Sequence, residues 1–348
     1  TTTRNGRRSS AAAGYLTRAR GRPNLKIETD AMTSRILIEN GRAVGVTYLK
    51  DGRQVEARSN GDVVVSGGAI NSPQLLQISG IGPGDLLRDI GVDVLVDLPG
   101  VGENLQDHYQ SRLVHETHPG QSLNEDVAGL FKRARVGLEY AIRRTGPLTV
   151  AAGQVGLFFK TRPELATPDV QAHFICFSAD KPMEHKLHDY AGVTLSICQL
   201  RPESRGHVRA RSGDTMARPQ IQPNFLDTPG DCRTMVDGLK VAREIASRPA
   251  YDRHVIRETL PGPEVISDDD LLAYVRETGG TIYHPCGTCK MGSDPMAVVD
   301  ERLRVKGVGN LRVADCSIMP TVISGNTNAP AIMIGERCAA MIREDSAV

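Results

Sequence analysis

The segment Tyr283-His284-Pro285-Cys286-Gly287-Thr288-Cys289 gathers an imidazole and two thiols within seven residues of the 348-residue chain. A CxxC spacing suits a redox dithiol or half of a zinc site. No second CxxC occurs, and His284 stands only two residues before Cys286, an unusual spacing for a shared tetrahedral centre. The pair therefore reads as buried thiols lining a turn, and no metal is expected. His284, between an aromatic residue and a proline, is rigidly presented. An imidazole there can serve as general base or hydrogen-bond partner near neutral pH, or it can satisfy loop carbonyls; the residues alone leave both open. Asn328 precedes Ala329-Pro330 and a helical stretch, which reads as an N-cap or first-turn residue at a helix end that offers N–H groups to a negative group. Asp315 ends a strand, where a carboxylate can accept from hydroxyls or serve as a turn residue. His115-Glu116-Thr117-His118 lacks the i, i+4 spacing of a helical metal site and reads as a solvated loop. Gly80-Ile81-Gly82-Pro83-Gly84 mimics a dinucleotide loop but follows a helical stretch. Neither GxGxxG nor GxSxG occurs anywhere.

These residues need elements to position them. Leu25 to Thr29, Arg35 to Glu39 and Ala43 to Leu49 read as strands, and Asp51-Gly52 offers a hairpin turn to Arg53–Arg58. Asp62-Val63-Val64-Val65-Ser66 has the β-branched run of a strand buried on both faces. It ends in Gly67-Gly68, after which Asn71 or Ser72 is expected to cap a short helix with Pro73 in its first turn. A strand, glycines and a helix start form anion-binding geometry. Residues 123–144 read as one amphipathic stretch, and 170–177, 193–200 and 207–211 as strands of an antiparallel sheet. Thr228 to Ser247, Ser267 to Thr278 and Ala331 to Ile342 read as helices, and Asn310 to Ala314 as a strand. The ends thus form one α/β domain into which the middle is inserted.

Composition narrows the class. Lys plus Arg is 42 and Asp plus Glu 41, so 42 − 41 = +1, with no surplus to suit nucleic acid or an anionic membrane. Apolar runs are broken by charges, Gly or Pro well before the roughly 18 residues a membrane span needs. Seven cysteines, an odd number scattered through apolar or Gly-rich contexts, suit a reducing compartment. A cytoplasmic location is expected, with peripheral membrane attachment left open.

Five ordered segments together carry a resemblance: GAINSPQLLQISGIG at 68–82, PGVGENLQDH at 99–108, PESRGHVRARSGD at 202–214, YHPCGTCKMG at 283–292, and DCSIMP through NTNAPAIMIGE at 315–336. They are similar to the glucose-methanol-choline (GMC) family of FAD-dependent oxidoreductases, in texture its bacterial choline-dehydrogenase-like alcohol dehydrogenases. The resemblance implies a mixed α/β fold, an incomplete FAD-binding Rossmann-like domain with an inserted antiparallel-sheet substrate-binding domain. The parts are expected at 1–104 (FAD-binding, middle part), 105–225 (substrate-binding), 226–280 (its helical part) and 281–348 (FAD-binding, with the active site).

The implied reaction oxidises an alcohol to an aldehyde or ketone, with hydride passing to flavin N5 and oxygen or a quinone as final acceptor. His284 would be the base and Asn328 its partner. Met32, Gly68 and Ala69 would meet the ADP half of FAD, Asp315 and Cys316 the ribityl and pyrophosphate, and Tyr283 and Ala329 the isoalloxazine. Where choline-oxidising members carry a glutamate, the matching stretch has Gln154, which favours a neutral alcohol. The family's N-terminal unit with GxGxxG is absent, so the chain alone is expected to hold FAD weakly, and a separate N-terminal chain is a partner the resemblance allows. The alternatives are a flavin-containing lyase on the same scaffold and an inactive fragment or subunit.

Overall fold

A computed structural model describes residues 2–149, 151, 153–180 and 186–346. In chain order its strands of three residues or more are β1 (Met32–Glu39), β2 (Arg42–Lys50), β3 (Arg53–Arg58), β4 (Val63–Val65), β5 (Tyr109–Thr117), β6 (Gly153–Phe159), β7 (Val170–Ile175), β8 (Gly192–Gln199), β9 (His207–Arg209), β10 (Gln220–Gln222), β11 (Val255–Leu260) and β12 (Leu311–Val313). Its main helices are α1 (Gly68–Ile78), α2 (Gly84–Asp89), α3 (Gly129–Arg143), α4 (Pro229–Ala246), α5 (Asp268–Thr278) and α6 (Asn328–Ser346).

The chain divides into two units. One, the histidine unit, comprises Ile27–His108, Pro202–Asp227 and Tyr283–Val348. The other, the sheet unit, comprises Thr1–Lys26, Tyr109–Arg201 and Thr228–Ile282. The segment 202–214, expected within the substrate-binding part, thus clusters with the histidine unit, where Gln77 Nε2 donates to Val208 O at 3.0 Å and Gln77 Oε1 accepts from Ala210 N at 2.7 Å.

In the histidine unit, β1, β2 and β3 form an antiparallel meander, while β4 and β12 pair in parallel, Leu311 opposite Val63 and Val313 opposite Val65. Parallel pairing of strands far apart in sequence is what an α/β unit requires. Val65 is buried but Val64 is 41% exposed, so β4 is not covered on both faces as its composition implied. No strand covers residues 25–29 either. The core packs α1 (Leu76), β12 (Leu311, Val313), α6 (Ile334) and the 286–305 loops (Cys286, Cys289, Val298) into one cluster. Arg312, almost wholly enclosed, bridges Asp62 and Asp345 at 2.6 Å each and ties α6 to the strand pair.

The sheet unit carries an antiparallel sheet in the order β6-β7-β8-β5-β11. Its central strands are buried on both faces, β8 at every residue. One cover is α4, whose Gly238 permits close approach: a Cβ there would lie 3.1 Å from Ile197 Cδ1. The caps of α4 and α5 are Thr228 and Ser267, whose side chains accept from Asp231 N and Asp270 N. The amphipathic stretch at 123–144 is broken in two, a short turn at Leu123–Asp126 and then α3, which begins at Gly129 in the left-handed region (φ +82°).

The reading of residues 115–118 as a solvated loop is corrected here. His115 lies in β5 and is 4% exposed, with Tyr251 Oη 3.2 Å from its Nδ1. Burial pushes its pKa below the ordinary histidine value; the Glu258 charge opposes this and the Arg243 charge adds to it. Unfolded, the ring takes a proton near pH 6.5, whereas folded it does so only at lower pH, so below about 6.5 the unfolded chain binds more protons. Stability of this unit is therefore expected to fall as pH drops from about 7.5 to about 5.5, and His115→Gln to flatten that slope. Urea midpoints for both proteins check this; equal losses would remove His115 as the cause.

Candidate active site

The site begins with a backbone pairing. Cys286 N donates to Gln106 O at 2.9 Å and Gln106 N to Cys286 O at 3.0 Å, an antiparallel bridge between two loops. In such a register each step forward on one segment is a step back on the other, so two residues on, His108 stands opposite His284. Their Nδ1 atoms are 3.0 Å apart, and the rings meet edge-on with centroids 5.3 Å apart. His108 is fully buried and His284 7% exposed. Asp107 fixes the turn by accepting the His284 N–H at 2.9 Å. Gly287 has φ +92°, and a Cβ on it would lie 2.5 Å from Asn104 O, so only glycine fits the turn beside the bridge.

The Gln106 amide extends this framework. Its Nε2 donates to Pro320 O at 3.1 Å and its Oε1 accepts from Val322 N at 3.2 Å, which holds the segment leading to α6. That segment delivers Asn326, whose Nδ2 lies 3.3 Å from His284 Nε2. Where the amide NH₂ donates to Nε2, the lone pair lies there and Nδ1 carries the ring proton toward His108; the other tautomer exchanges both roles.

The amide that meets His284 thus belongs to Asn326, two residues before the Asn328 expected in that place. Asn328 is the first residue of α6 and is exposed, as is Ala329. Tyr283 is 63% exposed with φ +64°. His108, Asp107, Gln106 and Asn326 all lie within segments singled out in the sequence, yet none was read as part of the site.

Asp315 is 9% exposed, and its carboxylate is engaged by the protein itself. Oδ2 accepts from Gly68 N at 2.9 Å and Ser72 Oγ at 2.5 Å, and Oδ1 from Ser317 N at 2.8 Å. These bonds pin the β4–α1 turn. The helix starts at Gly68 rather than at the expected cap: Ser72 lies inside α1, where its Oγ accepts from Gly67 N at 2.9 Å. Gly68 has φ +78° with open space where a Cβ would project, and Ala69 is buried, its carbonyl accepting from Thr288 Oγ1 at 2.7 Å. Beside this turn a cavity of about 400 Å³ is lined by Met32, Val65, Gly67, Asn71, Gln74 and Thr215. A cavity of this size, open backbone at a strand-to-helix turn and a half-exposed Met32 fit the adenosine end of a dinucleotide.

Cys316 is half-buried, its Sγ 3.9 Å from Thr327 O. Cys286 and Cys289 lie in the apolar core; burial pushes the Cys286 thiol up to about 12 and that of Cys289 higher still. Among the described residues no group of three or more His, Cys, Asp or Glu is placed to hold a metal. Gln154 belongs to the sheet unit, exposed on β6.

Comparisons with known proteins agree with one another. Two family models, both described as GMC oxidoreductase, match residues 1–110 and 202–335. An alcohol dehydrogenase [acceptor] of Pseudomonas putida is 43% identical over 345 residues, which cover 98% of this chain and 62% of that protein. An oxygen-dependent choline dehydrogenase of Klebsiella pneumoniae is also 43% identical, over 99% of this chain and 62% of its own length. The chain therefore spans about three fifths of the length of these curated relatives. Among solved structures, a pyridoxine 4-oxidase from Mesorbium loti superposes with a TM-score of 0.84 at 29% identity, over 98% of this chain and 63% of that one. A formate oxidase from Aspergillus oryzae gives 0.87 at 26% identity, over 93% and 62%.

Proposed function

The chain belongs to the GMC oxidoreductase family, and from that premise we propose that it provides the catalytic histidine of an FAD-dependent alcohol oxidoreductase. The observation that carries this reading is the placement of His284, with Nε2 3.3 Å from the Asn326 amide and Nδ1 3.0 Å from the buried His108 imidazole. Bound FAD supplies the two-electron acceptor for the hydride that leaves the carbinol carbon. His284 Nε2 takes the hydroxyl proton of the alcohol, the carbinol C–H bond breaks, and an aldehyde or ketone remains. The Asn326 amide holds the Nε2 lone pair in place until substrate displaces it. Asn328, at the first turn of α6, presents its amide to the developing alkoxide. The N–H groups of that turn favour negative charge nearby.

Met32, which lines the 400 Å³ cavity, would hold the ADP half of FAD together with Gly68 and Ala69 of the adjoining turn, and Tyr283 and Ala329 would border the isoalloxazine. Cys316 would lie toward the ribityl chain, while Asp315 acts by fixing the Gly67-Gly68 turn. An electron acceptor, oxygen or a quinone, completes the cycle.

Anaerobic addition of alcohol to the flavin-loaded protein tests this. Bleaching of the flavin at a rate matching turnover is expected; turnover with the flavin left oxidised would point instead to lyase chemistry.

The substrate is proposed to be a neutral alcohol. Gln154 carries no charge to attract a quaternary ammonium, an attraction worth about 1 kcal/mol or more at close range, so about fivefold or more in specificity. Choline is expected to show a lower kcat/KM than aliphatic or aromatic alcohols, and Gln154→Glu to raise it selectively. A wild-type preference for choline over every neutral alcohol tried would sink the assignment.

A further inference from the structure

The +1 net charge of the whole chain conceals a steep segregation. Residues 1–26 contain Arg4, Arg7, Arg8, Arg18, Arg20, Arg22 and Lys26 and no acidic residue, +7 in all. Residues 129–144 contain Lys132, Arg133, Arg135, Arg143 and Arg144 against Glu139, 5 − 1 = +4. The two segments hold 7 + 4 = +11, so the other residues sum to 1 − 11 = −10. Both segments belong to the sheet unit, and they touch: a Cβ on Gly6 would lie 2.5 Å from Arg144 O, at the end of α3. All seven cations of the first segment are exposed.

Helix α3 is inverted relative to an ordinary surface helix, which buries its apolar stripe. Val136 is its one buried residue. At about 100° per residue, Leu138 lies roughly opposite Val136, and Phe131, Ala134, Ala141 and Ile142 cluster around Leu138 on the outward face. Phe131 is 94% exposed, Leu138 60% and Ile142 71%. Arg135 flanks the stripe, with Lys132 and Arg143 beyond it. Among the described residues no helix is long and apolar enough to cross a membrane.

We propose that the sheet unit rests on an anionic lipid surface, with the outward stripe of α3 seated at the headgroup boundary and the cations of residues 1–26 and of α3 against lipid phosphates. Charge complementarity selects this occupant: cations flanking an apolar stripe on a helix lying flat match a bilayer surface. A phosphodiester backbone would use the cations and leave Phe131, Leu138 and Ile142 in water. Net charge alone hides this segregation, and it is the local cations rather than the total that would meet an anionic surface.

Flotation of the full chain with phosphatidylcholine vesicles, with and without phosphatidylglycerol, tests the proposal. Binding is expected only with phosphatidylglycerol, weakening as salt rises. The triple variant Phe131→Ser, Leu138→Ser, Ile142→Ser, all exposed and tolerable to the fold, is expected to weaken binding at least about tenfold, and Arg135→Gln with Arg143→Gln to weaken it and reduce its salt dependence. Three outcomes overturn the proposal. These are no flotation with anionic vesicles, flotation unchanged by the serine triple, or self-association of the wild-type chain that the triple abolishes, which would make the stripe a contact between copies.

Discussion

His284→Ala in the flavin-loaded enzyme is expected to lower the rate of alcohol-driven flavin reduction by at least about 10²-fold, toward the 10⁴ upper range for a positioned general base. The size follows from what is lost. Without the Nε2 lone pair, the proton must pass from the hydroxyl oxygen to water as hydride leaves the carbinol carbon, and among the described residues no other imidazole stands at that position. His108, with its ring edge-on behind His284, faces the Nδ1 side and cannot replace it. The deletion removes the buried ring of His284 and with it the 3.0 Å contact to His108 Nδ1, at a cost of about 1–3 kcal/mol in stability. Its backbone bond to Asp107 does not depend on the side chain. The variant should therefore lose some stability yet stay folded, and compared at equal flavin content its reduction should still collapse. His284→Gln, which offers an amide in place of a base, should remain as slow. A variant that reduces flavin within a few-fold of wild type, at equal flavin content, would remove His284 from the proton path. Stopped-flow absorbance under anaerobic conditions measures this directly.

His284 stands out in the sequence because its neighbours are informative: Pro285 after it, with Gly279, Gly280 and Gly287 nearby, implies a rigid presentation. Its partners were not legible, because they depend on register. His108 and His284 are 176 residues apart and meet only because Gln106 and Cys286 pair as an isolated bridge. No local periodicity encodes such a bridge. Asn326 and Asn328 illustrate the same limit, since which amide turns toward the ring depends on where α6 starts and how Gln106 holds the preceding segment. The helix starts at Thr228 and Ser267 were readable because capping is a short-range hydrogen bond between side chain and backbone. His115 was misread because its strand is covered on both faces, so polar residues there are paired internally and the alternation that marks a half-exposed strand is lost. The outward stripe of α3 shows a further gap: an amphipathic pattern tells that a face exists and not which way it points.

Asp315→Ala is expected to cost about 3–5 kcal/mol of stability, because it strands three donors around one buried point, at about 1–3 kcal/mol each with partial relief from water. Two of them, on Ser72 and Ser317, belong to wholly buried residues, so water relieves them little. The third, Gly68 N, sits at the helix start, where the glycine holds a left-handed φ of +78°. A loss of that size is a large share of the 5–15 kcal/mol that holds a typical domain. The conservative Asp315→Asn separates two roles for the residue. An amide keeps one acceptor oxygen, but its NH₂ must face either Ser317 N or the pair Gly68 N and Ser72 Oγ, and Ser72 Oγ already accepts from Gly67 N. If the carboxylate acts by pinning the turn, stability and flavin affinity fall together, by about 2 kcal/mol in urea unfolding and about tenfold or more in Kd. If it acts instead as a direct acceptor for a cofactor hydroxyl, flavin affinity falls while the urea midpoint stays in place. Three filled acceptor positions in the protein's own hydrogen bonds favour the first result, and an unchanged midpoint in both variants would refute it.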